Sequence, residues 1–357
     1  MFRVSGPSGS DRLEILRPDD WHLHLRDGEA MASVLPHTSA VFARAVVMPN
    51  LRPPVTTVEH ALRYRSQILE AVPAGHSFDP LMALYLTPQT SPETVVAAAA
   101  EPAVIGVKLY PAGATTNAQS GVANIESVAA VLEAMEAVDL PLLVHGESID
   151  PDCDPFDREA DFVARTLTPL VERYPKLRVV VEHVTTAQAA RFVSDAPATV
   201  AATITPQHLL YDRRALFAGG LRPHMYCLPI LKRAHHRDAL LEAACGTDGK
   251  FFAGTDSAPH ERGAKESACG CAGVFNASVA LPLYAEAFDS VGALDALEAF
   301  TSRSGPEFYR LPLNTDTMTL VREPSPVPST FPLGAGVVVP LRAGENTLWS
   351  VAVAPEL

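Results

Sequence analysis

Eight short apolar runs recur along the chain, each followed by a stretch of helical character, and this recurrence constrains the fold more than any other feature. The runs are "WHLHL" (21–25), "ARAVVMPN" (43–50), "DPLMALYLT" (79–87), "AVIGVKLYP" (103–111), "PLLVHGE" (141–147), "LRVVVEHV" (177–184), "ATVAATITPQH" (198–208) and "KFFAGTDSAPH" (250–260). Continuous apolar strands suit a parallel sheet covered on both faces. Between them, Ile125, Val128, Leu132 and Met135 fall on one helical stripe, as do Val163, Leu167, Leu170 and Tyr174. Pro169 interrupts the second stripe and predicts a kink or a fresh start there. Eight strand–helix units predict an α/β protein of the (β/α)8 TIM-barrel class. A doubly wound open sheet is the rival, but no Gly-rich dinucleotide fingerprint follows an early strand. The expected organisation is one hydrolase domain over 1–357, with the barrel at about 13–310 and a Pro-rich, β-like C-terminal appendage at about 311–357.

The chain's 357 residues, 47% of them hydrophobic, suffice for a large core. A net charge of −13 argues against a nucleic-acid or anionic-membrane surface, so an anionic substrate needs a locally positive site. No apolar stretch reaches about 18 residues, which argues against a membrane span. The N-terminus lacks the apolar core of a signal peptide, so a cytoplasmic location is expected. Five scattered cysteines do not suggest a disulfide framework. "CGC" (269–271) lacks a second thiolate pair at zinc-finger spacing, and free buried thiols are expected there.

Polar residues collect where the strands end: His22 and His24, Asn50, Lys108, His145, His183 and Asp256. In a barrel these ends share one face, where active sites are built. Residues i and i+2 of a strand point to one side, so His22 and His24 can aim both imidazoles at one cation, with Leu23 facing the helices. An isolated H-x-H is more often incidental, but the company of His145, His183 and Asp256 favours ligation. Neutral nitrogen and carboxylate donors suit Zn²⁺, and His145 with His183 reads as a second ion's ligand set. Lys108 is open to three readings: a salt bridge, a Schiff-base nucleophile, or a carbamate that bridges two metals. Arg26 and Asn50 can grip a carboxylate, with His260 as a further donor, although an ordinary ion pair would also explain Arg26. The loop "YPAGATTNAQSG" (110–121) is either a solvated connection or a lid whose Thr115 and Thr116 reach the substrate.

"HLHLRDG", "KLYPAGATTN", "LLVHGE", "VVVEHVTT", "RPHMYCLPILK" and "GTDSAPH" occur in order from about residue 13 to 310. Together they resemble the dihydroorotases, in their single-function bacterial form within the amidohydrolase superfamily. The resemblance implies a zinc enzyme of pyrimidine synthesis that interconverts N-carbamoyl-L-aspartate with dihydroorotate and water. It implies a first zinc on His22, His24 and Asp256, a second on His145 and His183, and carboxylated Lys108 as the bridge. It also implies that Arg26, Asn50 and His260 hold the substrate carboxylate, that backbone near Leu228 and Ala272 contacts the ring, and that Thr115 and Thr116 belong to a closing loop. The expected mechanism uses a metal-bridging hydroxide as nucleophile and Asp256 as general acid and base. The expected partner is a small molecule, with no nucleic acid and no membrane; a homodimer is one possible assembly, and the sequence does not fix the oligomeric state. A hydantoinase or allantoinase is the rival enzyme, distinguished by its lack of need for a carboxylate clamp. An inactive barrel serving as a scaffold is the rival of another class.

Overall fold

The computed structural model describes residues 11–352. A first strand, β1 (Arg12–Leu16), precedes eight parallel strands: β2 (Asp20–Leu23), β3 (Arg44–Val47), β4 (Asp79–Tyr85), β5 (Val104–Leu109), β6 (Leu142–His145), β7 (Val179–Glu182), β8 (Val200–Ile204) and β9 (Phe251–Ala253). Each of these eight pairs with its neighbour in sequence, β2 through β9. The barrel closes by a parallel bridge between Leu23 and Ser257. There the Asp256 N–H donates to His22 O at 2.8 Å and the His24 N–H to Ser257 O at 3.1 Å. The expected TIM barrel is therefore the observed fold, with helices alternating between the strands.

Its interior divides into an apolar floor and a polar mouth. Trp21, Val46, Leu81, Leu143, Val180, Ala201 and Phe252 fill the floor. Trp21 stacks on Tyr309 with ring centroids 4.6 Å apart. That stack needs a glycine at 305, where a Cβ would stand 2.0 Å from Trp21 Nε1. A larger cluster joins the outer strand faces, Leu23 among them, to the surrounding helices. The helices start where the caps are: the Thr57, Ser91, Thr186 and Thr205 side chains each accept a backbone N–H of the first turn.

Both predicted stripes are helical. Val128, Leu132 and Met135 are buried, and Ile125 packs against the same cluster. The second stripe is a broken helix: an α-turn at Arg158–Phe162, a π-turn at Val163–Leu167 and a new α-segment at Thr168–Arg173. Pro169 has no N–H to donate one turn back, and the Thr168 N–H bonds Val163 O instead, which widens the turn.

The segment from residue 11 differs from the expected layout. Arg12–Leu16 lies outside the barrel, antiparallel to β10 (Thr317–Val321), with Leu16 opposite Thr317. A short strand, Ser350–Val351, extends this sheet on the other side of β10. Trp349 of "LWSV" is buried, donates from Nε1 to Asp289 Oδ2 at 3.2 Å and lies under the Arg322 guanidinium. Among the described residues no helix is long and apolar enough to cross a membrane.

Candidate active site

The polar residues at the strand ends meet in the barrel mouth, but several lie just beyond the strands. His145 ends β6. His24 follows β2, His183 follows β7, and Asp256 sits three residues after β9. Arg26, His183 and Asp256 have φ values of +67°, +42° and +45°, in the left-handed region. Short polar side chains such as Asp, Asn and His enter that region more readily than most. Leaving the extended conformation this way breaks the in–out alternation of the pleat, so Glu182 and His183 both reach the mouth. Gly254 lets β9 pass close beneath: a Cβ there would stand 2.7 Å from Thr203 Cβ and 3.0 Å from His22 Cβ.

His22, His24 and Asp256 present ligand atoms that all lie within 4.8 Å of one another. The two Nε2 atoms are 3.4 Å apart, and Asp256 Oδ1 lies 3.4 Å from His22 Nε2 and 3.2 Å from His24 Nε2. The opposite ring nitrogens are tied down. His22 Nδ1 is 2.8 Å from Glu182 Oε2, which also accepts the Thr203 hydroxyl at 2.6 Å. His24 Nδ1 is 2.8 Å from Asn50 Oδ1. Such outer partners fix which nitrogen faces a metal. His145 and His183 complete the group. The His183 ring centroid lies 4.9 Å from that of His22 and 4.8 Å from that of His145. His145 Nε2 is 2.7 Å from Glu147 Oε2, which leaves Nδ1 for the centre. His183 Nδ1 is buried without a partner among the described residues.

Burial dominates the electrostatics. It lowers the His22 pKa well below the ordinary value, with Lys108 adding to the effect, and it lowers His24 and His183 as well. The imidazoles are therefore neutral, as metal ligation requires. Burial alone would raise the Asp256 pKa, but the His24 hydrogen bond and the nearby Lys108 ammonium bring it below the usual carboxylate value. Burial raises Glu182 to about 7. Lys108 is fully buried, its Nζ has no hydrogen-bond partner among the described residues, and burial lowers its pKa to about 8. Among the described residues no carboxylate forms an ion pair with Nζ, although the Glu182 and Asp256 charges oppose part of the shift, so the salt-bridge reading gains no support.

Above these groups lies a cavity lined by His22, His24, Arg26, Asn50, Thr115, Thr116, His145, His183, Leu228, Asp256 and Ala272, together with Tyr110, Ala258 and Gly273. Of the residues singled out in the sequence, Lys108 and His260 alone do not line it. Arg26 donates from Nε to Pro259 O at 2.9 Å, and its Nη2 lies 3.1 Å from His260 Nε2, so further guanidinium N–H groups remain for a ligand. Burial and the neighbouring Arg26 lower His260 to about 3, leaving it neutral. Asn50 spends its Oδ1 on His24 and one Nδ2 hydrogen on Thr116 O, at 3.2 Å, and keeps one donor. The loop at 115–118 lies over the mouth, with the Thr116 hydroxyl donating to Ala272 O at 3.3 Å.

Several groups escaped the sequence reading. Glu182 and Glu147 adjoin or nearly adjoin His183 and His145, and only that proximity hinted at them. Asp20 joins the first and last barrel strands: its carboxylate accepts from the Thr255 N–H at 2.8 Å, the Thr255 hydroxyl at 2.6 Å and the His22 N–H at 3.2 Å. Lys265, also buried, donates to Tyr226 O, Cys271 O and Gly273 O at 2.7, 2.7 and 2.8 Å, and so moors the segments flanking Leu228 and Ala272. Nothing in "AKESACGC" announces it. The expectation of buried thiols at "CGC" is corrected: Cys269 is exposed, Cys271 half-buried, and their sulfurs are 4.0 Å apart. Ala272 and Gly273, next in the chain, line the mouth.

The pattern of the amidohydrolase family matches residues 19–315. A dihydroorotase of Cupriavidus pinatubonensis is 60% identical over 340 residues, 95% of this chain and 99% of that protein. One from Microcystis aeruginosa is 59% identical over the same shares. The crystal structure of a dihydroorotase from Campylobacter jejuni superposes with a TM-score of 0.88 at 35% identity, covering 97% of this chain and 98% of that one. A Saccharomyces cerevisiae dihydroorotase in complex with 5-fluoroorotic acid gives a TM-score of 0.87 at 31% identity, covering 97% and 100%. An L-hydantoinase from Arthrobacter aurescens shares the fold, with a TM-score of 0.77 at 16% identity over 95% of this chain and 83% of that one.

Proposed function

The chain belongs to the amidohydrolase family, and from that premise we propose that it is a metal-dependent cyclic amidase interconverting dihydroorotate plus water with N-carbamoyl-L-aspartate. One observation carries the reading: five side chains of metal-ligating type from distant segments converge in the mouth with a buried lysine that has no hydrogen-bond partner among the described residues. The curated relatives named dihydroorotase, matched over nearly their whole length, support the same substrate.

The donor set fits a pair of zinc ions. His22, His24 and Asp256 would hold one and His145 and His183 the other. The unpartnered nitrogens of His183 and Lys108 are what such a centre leaves behind when its ions are removed. Lys108, as a carbamate, would bridge the two, since carboxylation turns an unpaired buried cation into an anionic ligand. When bound, the ions supply Lewis acidity and lower the pKa of water towards neutrality.

The protein's own groups do the rest. Asp256 lies against both first-site histidines, buried and anionic, where it can take a proton from the attacking water and deliver it to the leaving amide nitrogen. In the synthetic direction it would deprotonate the carbamoyl nitrogen. Arg26, Asn50 and His260 would hold the carboxylate and orient the ring without joining the bond changes. Backbone at Leu228 and Ala272 would meet the ring, and Thr115 and Thr116 would exclude water from above. Arg26 distinguishes this reading from a hydantoinase, because a hydantoin carries no carboxylate to clamp.

The test is turnover of dihydroorotate and of hydantoin before chelation, after it, and after zinc is restored. Dihydroorotate turnover that falls on chelation and returns with zinc is expected, with hydantoin poor. Turnover that survives chelation would remove the metal, and preferred hydantoin turnover would remove the substrate. The 5-fluoroorotic acid bound by the yeast relative offers a ring-and-carboxylate probe for the same cavity.

A further inference from the structure

Building on that proposed function, we propose that Tyr110 is a further substrate-binding residue, whose hydroxyl donates a hydrogen bond to an acceptor oxygen of the bound pyrimidine-ring substrate. Tyr110 comes directly after β5 and two residues after Lys108, so the pleat brings both to the mouth side. It lines the cavity beside Arg26, Thr115, Thr116 and His145. Its ring lies 5.3 Å from Lys108 Nζ and, by centroids, 6.2 Å from the His145 ring.

The side chain is 1% exposed, and its hydroxyl has no hydrogen-bond partner among the described residues. Burying a hydroxyl unpaired is unfavourable, and a phenylalanine would fill the same space without that penalty. Its neighbour Tyr85, with the ring centroid 5.0 Å away, shows the usual solution, donating to Asn117 O at 3.3 Å. Tyr174 and Tyr309 also bury unpartnered hydroxyls, but neither lines the cavity. Tyr110 is the one of the three placed to find its partner in a ligand. A phenol at neutral pH is a donor, and the proposed substrate brings carboxylate and carbonyl oxygens to this wall.

The test compares the zinc-loaded parent with Tyr110→Phe. Binding of 5-fluoroorotic acid is read by calorimetry, dihydroorotate kinetics by steady state, zinc content by metal analysis, and ligand-free Tm by unfolding. The variant should bind 5-fluoroorotic acid about 5- to 30-fold more weakly and lose kcat/KM for dihydroorotate by a similar factor, the loss of one hydrogen bond. Its zinc content should equal the parent's, and its ligand-free Tm should be equal or higher. Affinity and kcat/KM within twofold of the parent would overturn the assignment. So would a loss that tracks reduced zinc content, which would place the hydroxyl in the service of the metal centre. If the parent itself neither binds the probe nor turns over dihydroorotate, the functional reading falls and takes this inference with it.

Discussion

Replacing Lys108 by methionine should stabilise the metal-free protein while abolishing its activity. In chelated protein kept free of CO₂, Lys108 is an amine buried completely and without a hydrogen-bond partner among the described residues. Burial lowers its pKa from 10.5 to about 8. At roughly 1.4 kcal/mol per pH unit this is about 3 kcal/mol of destabilisation at pH 7. The sign follows from proton binding. Below about pH 8 the folded and unfolded chains both carry the proton, and the whole penalty is present. Between about 8 and 10.5 the folded chain has released its proton while the unfolded chain keeps it, so stability climbs with pH. Methionine matches the volume without the charge, and imperfect packing returns about 1 kcal/mol. An unfolding entropy of about 2.1 cal/mol/K per residue converts the remaining ~2 kcal/mol into a Tm increase of about 3 °C. Thermal and urea unfolding of both chelated proteins from pH 7 to 10 provides the measurement. The advantage of Lys108→Met should be greatest at pH 7 and shrink steadily above pH 8. A variant less stable than the parent at pH 7, or a gap that does not change with pH, would refute the picture of a buried ammonium whose desolvation outweighs the attraction of Glu182 and Asp256.

Asp256→Asn keeps the shape of the side chain and tolerates its left-handed backbone, so it should lower kcat by roughly 10²–10⁴ with the fold intact by circular dichroism; activity within tenfold of the parent would take the proton-transfer role from Asp256. Glu182→Gln should weaken zinc binding about 10- to 100-fold in chelator competition, because His22 Nδ1 loses its carboxylate partner; unchanged affinity would make Glu182 a spacer. Arg26→Ala should raise KM for dihydroorotate by about 10-fold or more with a smaller change in kcat, as expected on losing a charged hydrogen bond; a change in Tm alone would exclude the carboxylate clamp.

The barrel and the centre of its site were legible because they rest on one rule, an apolar run that ends in a polar residue. Trp21–Leu25, 141–147 and 177–184 carry both the strand and a histidine of the mouth in a few letters. The groups that hold these mouth residues in place were not legible, because their partners are far away in sequence. Glu182 would point away from His183 in an unbroken pleat; the φ of +42° at His183 brings both to the mouth, and no composition or spacing encodes that angle. Lys265 reaches three carbonyls from a loop whose letters read as surface. The pairing of Arg12–Leu16 with Thr317–Val321 spans some 300 residues, beyond the reach of any local periodicity.

The left-handed backbone at Arg26, His183 and Asp256 has an implication for engineering. Glycine would relax the main chain at each position, and a selection scored only on heat resistance would reward it. The same exchange would strip a cation, an imidazole and a carboxylate from the rim. Libraries aimed at a hardier enzyme should therefore hold these three codons constant and look for gains in the outer helices, where the choice of residue and the chemistry of the centre are independent.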